Sequence, residues 1–160
     1  MKRGFADWIG CAALAVLCFA AAGIGGAVTA PQIDSWHAHL NKPSFNPPNP
    51  VFGPVWTVLY FLMAIAAGLV WLRRAKPGAS IGLALFLVQL ALNLAWTFLF
   101  FGWHRLDLAS YEVVILAIVI AATLIVFLRV HALAAALLVP YLAWTAFASV
   151  LCWTFWHLNP

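Results

Sequence analysis

Acidic side chains are scarce in this chain: four Asp and Glu stand against eight Lys and Arg in 160 residues, and charged residues make up 8% of the total. A soluble domain carries roughly a quarter of charged residues and roughly half of apolar ones. Here 66% of residues are hydrophobic and the mean hydropathy is +1.03, so most of the chain has to lie in hydrocarbon. The four acidic residues, Asp7, Asp34, Asp107 and Glu112, fall at or near the ends of apolar runs. No ionisable residue is therefore expected at mid-depth, which argues against ion-coupled transport. No Ser-His-Asp, Cys-His or paired-carboxylate arrangement is visible, which argues against hydrolytic catalysis. The basic residues are few and dispersed at run ends, unlike the clustered basic face that nucleic-acid binding requires. The three cysteines, Cys11, Cys18 and Cys152, are odd in number and lie in apolar runs, so they read as small hydrophobes rather than a disulfide framework.

Long apolar runs are what the chain does have. In hydrocarbon every backbone N–H and C=O needs an internal partner, so a span is a helix or a strand of a closed barrel. The runs are continuous and do not alternate with period two, which selects helices. The reading is a single all-α integral membrane domain, a bundle of five spans at about residues 5–28, 51–72, 79–101, 108–128 and 132–156. The first run follows Lys2 and Arg3 and could be a signal peptide. It is long for one, and Trp8, Gly23, Gly25 and Gly26 suit a retained, closely packed helix. The later connections are short, so neighbouring helices should run antiparallel. Lys2, Arg3, Arg73, Arg74, Lys76 and Arg129 fall on one side, Lys42 and Arg105 on the other. That asymmetry predicts a cytoplasmic N-terminus, with the first loop and the C-terminus outward.

Between the first two runs lies a proline-dense, aromatic segment from Trp36 to Tyr60. Pro43, Pro47, Pro48, Pro50 and Pro54 work against regular helix there, and a stiff loop over about residues 29–50 reads as a lid. Helical spacing places Gln89, Asn93, Trp96 and Thr97 on one face of the third span. Tyr141, Trp144, Thr145, Ala148 and Cys152 share a face of the fifth, and Trp56, Tyr60, Met63, Ala64 and Ala67 a face of the second. Three such faces can line one pocket, with the alanines leaving room. Taken alone, Gln89 and Asn93 read first as hydrogen-bonding glue between helices and only second as pocket groups. Trp8, Trp71, Trp103, Trp153 and Trp156, near span ends, read as interfacial anchors, which Trp96 and Trp144 are too deep to be. Pro140 is expected to kink the fifth span. Gly78 and Gly82, continued by Ala91 and Ala95, form a small-residue seam usable within the bundle or between two copies. His37-x-His39 is a weak signal for metal or haem iron, and no metal site is expected from it.

In combination these pieces match a family pattern. Trp36, then Leu40-Asn41-Lys42-Pro43, Phe45-Asn46-Pro47-Pro48, Phe52-Gly53-Pro54 and Trp56 with Tyr60 open it. Gln89, Asn93 and Trp96, then Phe100-Phe101-Gly102, then Pro140-Tyr141, Trp144 and Phe147-Ala148, and finally Trp156 and Leu158-Asn159 continue it in order. The chain resembles the TspO/MBR family of tryptophan-rich sensory proteins and mitochondrial translocator proteins. The resemblance implies a five-helix bundle, commonly a homodimer in a membrane (here a bacterial cell membrane), that binds protoporphyrin IX-like porphyrins or other hydrophobic aromatic molecules. It points to Trp56, Tyr60, Asn93, Trp144 and Ala148 as pocket residues, with Pro47 and Pro48 from a lid that also holds Trp36, His37, Lys42, Pro43 and Phe45. Two positions depart from the family: Cys152 where an Asn is usual, and His37 where a Tyr is frequent. No Lys or Arg follows Arg129, so the sterol motif of animal members is absent and sterol binding is not implied. No cofactor is required. The function implied is a membrane sensor that regulates tetrapyrrole handling or a stress response. Alternatives are light- and oxygen-dependent porphyrin degradation, with Trp144 as its one catalytic candidate, and passive transport of tetrapyrroles.

Overall fold

The computed structural model describes residues 4–160; the expectations placed on Lys2 and Arg3 lie outside the described residues. Five long helices follow in order: α1 (Phe5–Ile33), α2 (Asn49–Trp71), α3 (Ala79–Thr97), α4 (Leu106–Val130) and α5 (Ala132–Leu158). All five are long and apolar enough to cross a membrane, α3 being continued by a π-helical turn at Phe98–Gly102. Among the described residues there is no strand. Around the bundle the helices run α1, α2, α5, α4, α3 and back to α1, each packed on two neighbours.

The first connection is shorter than the proline pattern predicts. It is not a loop over 29–50 but residues 34–48, interrupted by a 3-10 turn at His37–His39. Helix α1 runs through Pro31 to Ile33, and α2 starts at Asn49 with Pro50 in its first turn and Pro54 inside. Pro50 costs nothing there, because the first N–H groups of a helix have no intrahelical partner, and Pro31 and Pro54 each remove one bond only. Helix α5 likewise begins at Ala132 and continues unbroken past Pro140. A single residue, His131, separates α4 from α5.

Small residues set the approaches. Gly78, at φ 85°, takes the left-handed conformation that starts α3. A Cβ at Gly82 would lie 3.0 Å from the Phe127 ring of α4, so this half of the glycine seam works inside the bundle. Ala91 and Ala95 do not continue it; they sit on an exposed face of α3. Trp71 is not a free interfacial anchor either. Its indole rests directly on the backbone of Gly10, where a methyl group would overlap it, and Arg74 lies over its ring at 4.9 Å. Arg74 also meets Asp7 at 2.5 Å, tying the start of α1 to the α2–α3 turn. Gly23 and Gly26, expected to serve close packing, have open space where a Cβ would go; Gly25 alone approaches a neighbour, Thr97.

Gly10→Ala is therefore expected to displace Trp71 and to cost about 1–3 kcal/mol. Gly23→Ala, which meets nothing, should be neutral or stabilise by up to about 1 kcal/mol through helix propensity. Thermal unfolding of the two variants in detergent checks the contrast.

Candidate functional site

At the end of the bundle capped by the 34–48 connection, α1, α2, α3 and α5 stand apart around a cavity of about 390 Å³. That volume falls within the range of small-molecule pockets. Helix α4 contributes nothing to its wall. Ala22, Gly25 and Gly26 give α1 a side without bulk, and their small size leaves the space that the larger rings surround.

Two hydroxyls and one amide fix the inner end. Tyr60 donates from its hydroxyl to Asn93 Oδ1 at 2.5 Å, and Asn93 Nδ2 donates to the Tyr141 hydroxyl at 3.0 Å. All three residues are buried. The spacing that aligned these residues on facing helix faces thus serves the glue role first. Asn93 keeps one N–H and one lone pair beyond these two bonds. Gln89, one turn below, only approaches the Met63 sulfur, at 4.0 Å, and its Oε1 has no partner among the described residues. Met63, Ala64 and Ala67 are core residues against their neighbours and do not line the cavity, contrary to the expectation that Ala64 and Ala67 leave ligand space.

The walls are aromatic. Trp56 tilts against Tyr60 at 5.9 Å and meets Tyr141 edge-on at 6.2 Å. On the neighbouring helix α5, Trp144 is braced by Phe52 of α2 at 5.8 Å and by Phe147 at 5.7 Å. The π-helical turn lets two consecutive rings, Phe100 and Phe101, both reach the cavity, with Trp96 stacked on Phe100 at 5.2 Å. Such turns concentrate at functional sites. Ala148, Leu151, Cys152 and Phe155 complete the α5 wall.

The connection is held over this space from both sides. Trp36 stacks on His104 at 4.1 Å, and His104 Nε2 pairs with Gln32 Oε1 at 3.1 Å. His104 takes a φ of 55°, unusual for a residue with a Cβ, and this strained conformation presents its ring to Trp36. On the far side Asn41 N–H donates to Asn159 Oδ1 at 2.9 Å and Asn159 Nδ2 donates back to Asn41 O at 3.0 Å, while Asn41 Nδ2 donates to Leu158 O. Phe45 adds an edge contact with Phe147 at 6.4 Å.

Of the residues singled out from sequence, Trp56, Tyr60, Asn93, Trp144, Ala148, Cys152 and His37 line the cavity. Pro47, Pro48, Trp36, Lys42, Pro43 and Phe45 do not; they shape or anchor the connection instead. His37 and His39 do not converge. His37 is buried, whereas His39 is exposed and its Nδ1 donates to Ser35 O at 2.5 Å. Burial, with Lys42 nearby, pushes the His37 imidazole below its ordinary pKa, so it is neutral at pH 7. Among the described residues no three metal-ligating side chains gather. The α1 contribution, Phe52, Asn46 and the Phe100–Phe101 pair escaped the sequence reading, although the run Gly25-Gly26 is a signal for missing bulk. Glu112 carries a second surprise. It lies in the second turn of α4, near a span end as expected, yet both carboxyl oxygens are buried without a partner among the described residues.

A model of the TspO/MBR family matches residues 13–157. This chain belongs to the TspO/MBR family. It is 42% identical to the tryptophan-rich protein TspO of Chlorobaculum tepidum over 146 residues, 90% of this chain and 92% of that one. It is 42% identical to the human translocator protein over 126 residues, 78% of this chain and 75% of the other. It is 41% identical to a tryptophan-rich sensory protein of Cereibacter sphaeroides over 127 residues, 79% and 78% of the two chains. With five apolar spans, membership makes this TspO/MBR protein an integral membrane protein.

Asn93→Leu leaves two buried tyrosine hydroxyls unpaired and is expected to cost about 1–3 kcal/mol for each. Tyr60→Phe, which orphans Asn93 Oδ1 alone, should cost about 1–3 kcal/mol in total. Chemical unfolding in mild detergent reads both, and equal stability of wild type and Asn93→Leu contradicts the bridging role.

Proposed function

We propose that this TspO/MBR protein binds a porphyrin, or another flat hydrophobic aromatic molecule, in the α1–α2–α3–α5 cavity. On this reading it acts as a membrane sensor in tetrapyrrole handling or stress response. The observation that carries the reading is the pair of indoles, Trp56 and Trp144, on the neighbouring helices α2 and α5, both lining a roofed cavity with little polarity. Flat aromatic faces favour a large ring system by dispersion and offset stacking, and the roof excludes water from it. The family membership supports the same reading, as do relatives named as sensory and translocator proteins.

Titration of the purified protein with metal-free protoporphyrin IX, followed by porphyrin absorbance, tests it. Saturable binding is expected, weakened about fivefold or more when Trp56→Phe and Trp144→Phe are combined. Absence of saturable binding overturns the reading. Because the Trp144 indole borders the cavity, illumination of the bound ring in air addresses the degradative alternative. Bleaching at the same rate in Trp144→Phe removes Trp144 from any such chemistry.

Two further properties belong to this proposal. The cell membrane of a bacterium is the compartment proposed, with the roofed end outward, since Arg73, Arg74, Lys76 and Arg129 share the opposite end of the bundle. A homodimer is proposed through the exposed small-residue face of α3, where Ala84, Ala91 and Ala95 let two backbones approach. Ala91→Phe combined with Ala95→Phe should shift the protein to a monomer in size-exclusion chromatography with light scattering. A dimer that persists excludes this face.

A further inference from the structure

We propose that His37 is an axial ligand for the metal of a metal-bearing porphyrin, so that the cavity distinguishes an iron porphyrin from the metal-free ring. The inference rests on the porphyrin reading above and names the form of the ring that the roof selects.

Three observations lead to it. His37 is 7% exposed, borders the cavity from the roof, and makes no side-chain hydrogen bond among the described residues. Its Nδ1 is packed against protein without a partner, so Nε2, which has no hydrogen bond among the described residues, is the nitrogen left to face the cavity. Buried polar groups are nearly always paired, and an orphan costs about 1–3 kcal/mol. The other histidines at this end differ. His39 Nδ1 is engaged by Ser35 O, His104 Nε2 by Gln32, and His157 Nδ1 by Trp153 O. His37 is also positioned rather than loose. Its ring lies 5.6 Å from Phe155, 5.9 Å from Phe101 and 6.4 Å from Phe100, and the turn that carries it is closed by His39 N–H donating to Trp36 O at 3.1 Å. Of the other polar groups on the wall, the Cys152 thiol would have to lose its proton to bind a metal, and the oxygens compete poorly. Asn93 is spent on two tyrosines, Thr97 on Asn93 O, and Asn46 offers an amide oxygen.

The coordination chemistry is simple. A porphyrin fills four equatorial positions of iron and leaves the axial ones open, and imidazole is a common axial ligand. The neutral imidazole, with its proton on Nδ1, donates the Nε2 lone pair to the iron, and the water or chloride bound there leaves. No electron moves. Burial and Lys42 hold the imidazole neutral, which keeps the lone pair free. Tyrosine or phenylalanine at this position would offer the ring no nitrogen, so the preference is a property of this chain's His37.

Iron(III) protoporphyrin IX and metal-free protoporphyrin IX are the two probes, titrated into wild type, His37→Phe, His37→Ala and the exposed control His39→Phe. Wild type and His39→Phe should give the absorbance spectrum of an imidazole-ligated iron. His37→Phe should lose that spectrum and bind the iron porphyrin about tenfold or more weakly, a clearly larger loss than it shows for the metal-free ring. Free imidazole should restore the ligated spectrum in His37→Ala, a rescue that a merely structural role would not produce. Circular dichroism confirms that the variants are folded. An imidazole-type spectrum that survives in His37→Phe and His37→Ala overturns the inference. So does an iron porphyrin bound by wild type with no imidazole-type spectrum, and in either case metal-free binding stands. Failure of wild type to bind both rings overturns this inference and the porphyrin reading together.

Discussion

An amide and two phenols placed at membrane depth must find partners within the protein, because hydrocarbon offers none. Tyr60, Asn93 and Tyr141 solve this together, and the bond from α2 to α3 to α5 that results fixes the inner end of the cavity. Three helices are thereby locked in rotation about their axes. With Tyr60 and Tyr141 turned toward Asn93, Trp56 one turn above Tyr60 and Trp144 one turn above Tyr141 are turned toward the same space. The aromatic walls are thus a geometric consequence of the polar bridge.

The same bridge divides the bundle into a dense half and an open half. Toward the α2–α3 and α4–α5 turns the interior is filled by alanines and stacked rings, among them Phe86 on Phe127 at 6.1 Å. Toward the roofed end α1 turns a face of Ala22, Gly25 and Gly26 inward and leaves volume unfilled. An open space of this size in a protein interior of near-crystalline packing is costly unless something occupies it. The roof is correspondingly fixed by the Asn41–Asn159 exchange on one side and the Trp36–His104 stack on the other. The Asn41–Asn159 hydrogen bonds are exposed and worth about 0.5–1.5 kcal/mol each, whereas Trp36 also packs edge-on against Phe100 at 5.6 Å.

The five spans were legible in the sequence because a membrane helix announces itself by length and apolarity alone, and the interior ends of α2 to α5 fell within a few residues of the predicted ones. The facing polar stripes were legible for the same reason, since a helical repeat fixes which residues share a face. Proline was misread. Its presence in 29–50 suggested a loop throughout, whereas Pro31 and Pro50 are absorbed at helix ends for the loss of few hydrogen bonds. What the sequence could not convey was which stripe residues pair with each other and which face empty space. Ala64 and Ala67 look like Ala148 in a helical projection, yet only Ala148 borders the cavity. The separation of buried His37 from exposed His39, and the sealing of Glu112, likewise depend on tertiary packing that no local pattern encodes.

The central claim is that the ligand of this TspO/MBR protein sits between the α2 and α5 indoles, outward of an intact polar bridge. A crystal or electron-microscopy structure of the protein saturated with metal-free protoporphyrin IX tests it most directly. The account predicts ring density between Trp56 and Trp144, beneath residues 34–48, with the Tyr60–Asn93–Tyr141 bonds preserved. Density on a lipid-facing surface of the bundle, with the cavity collapsed or the bridge broken, contradicts it.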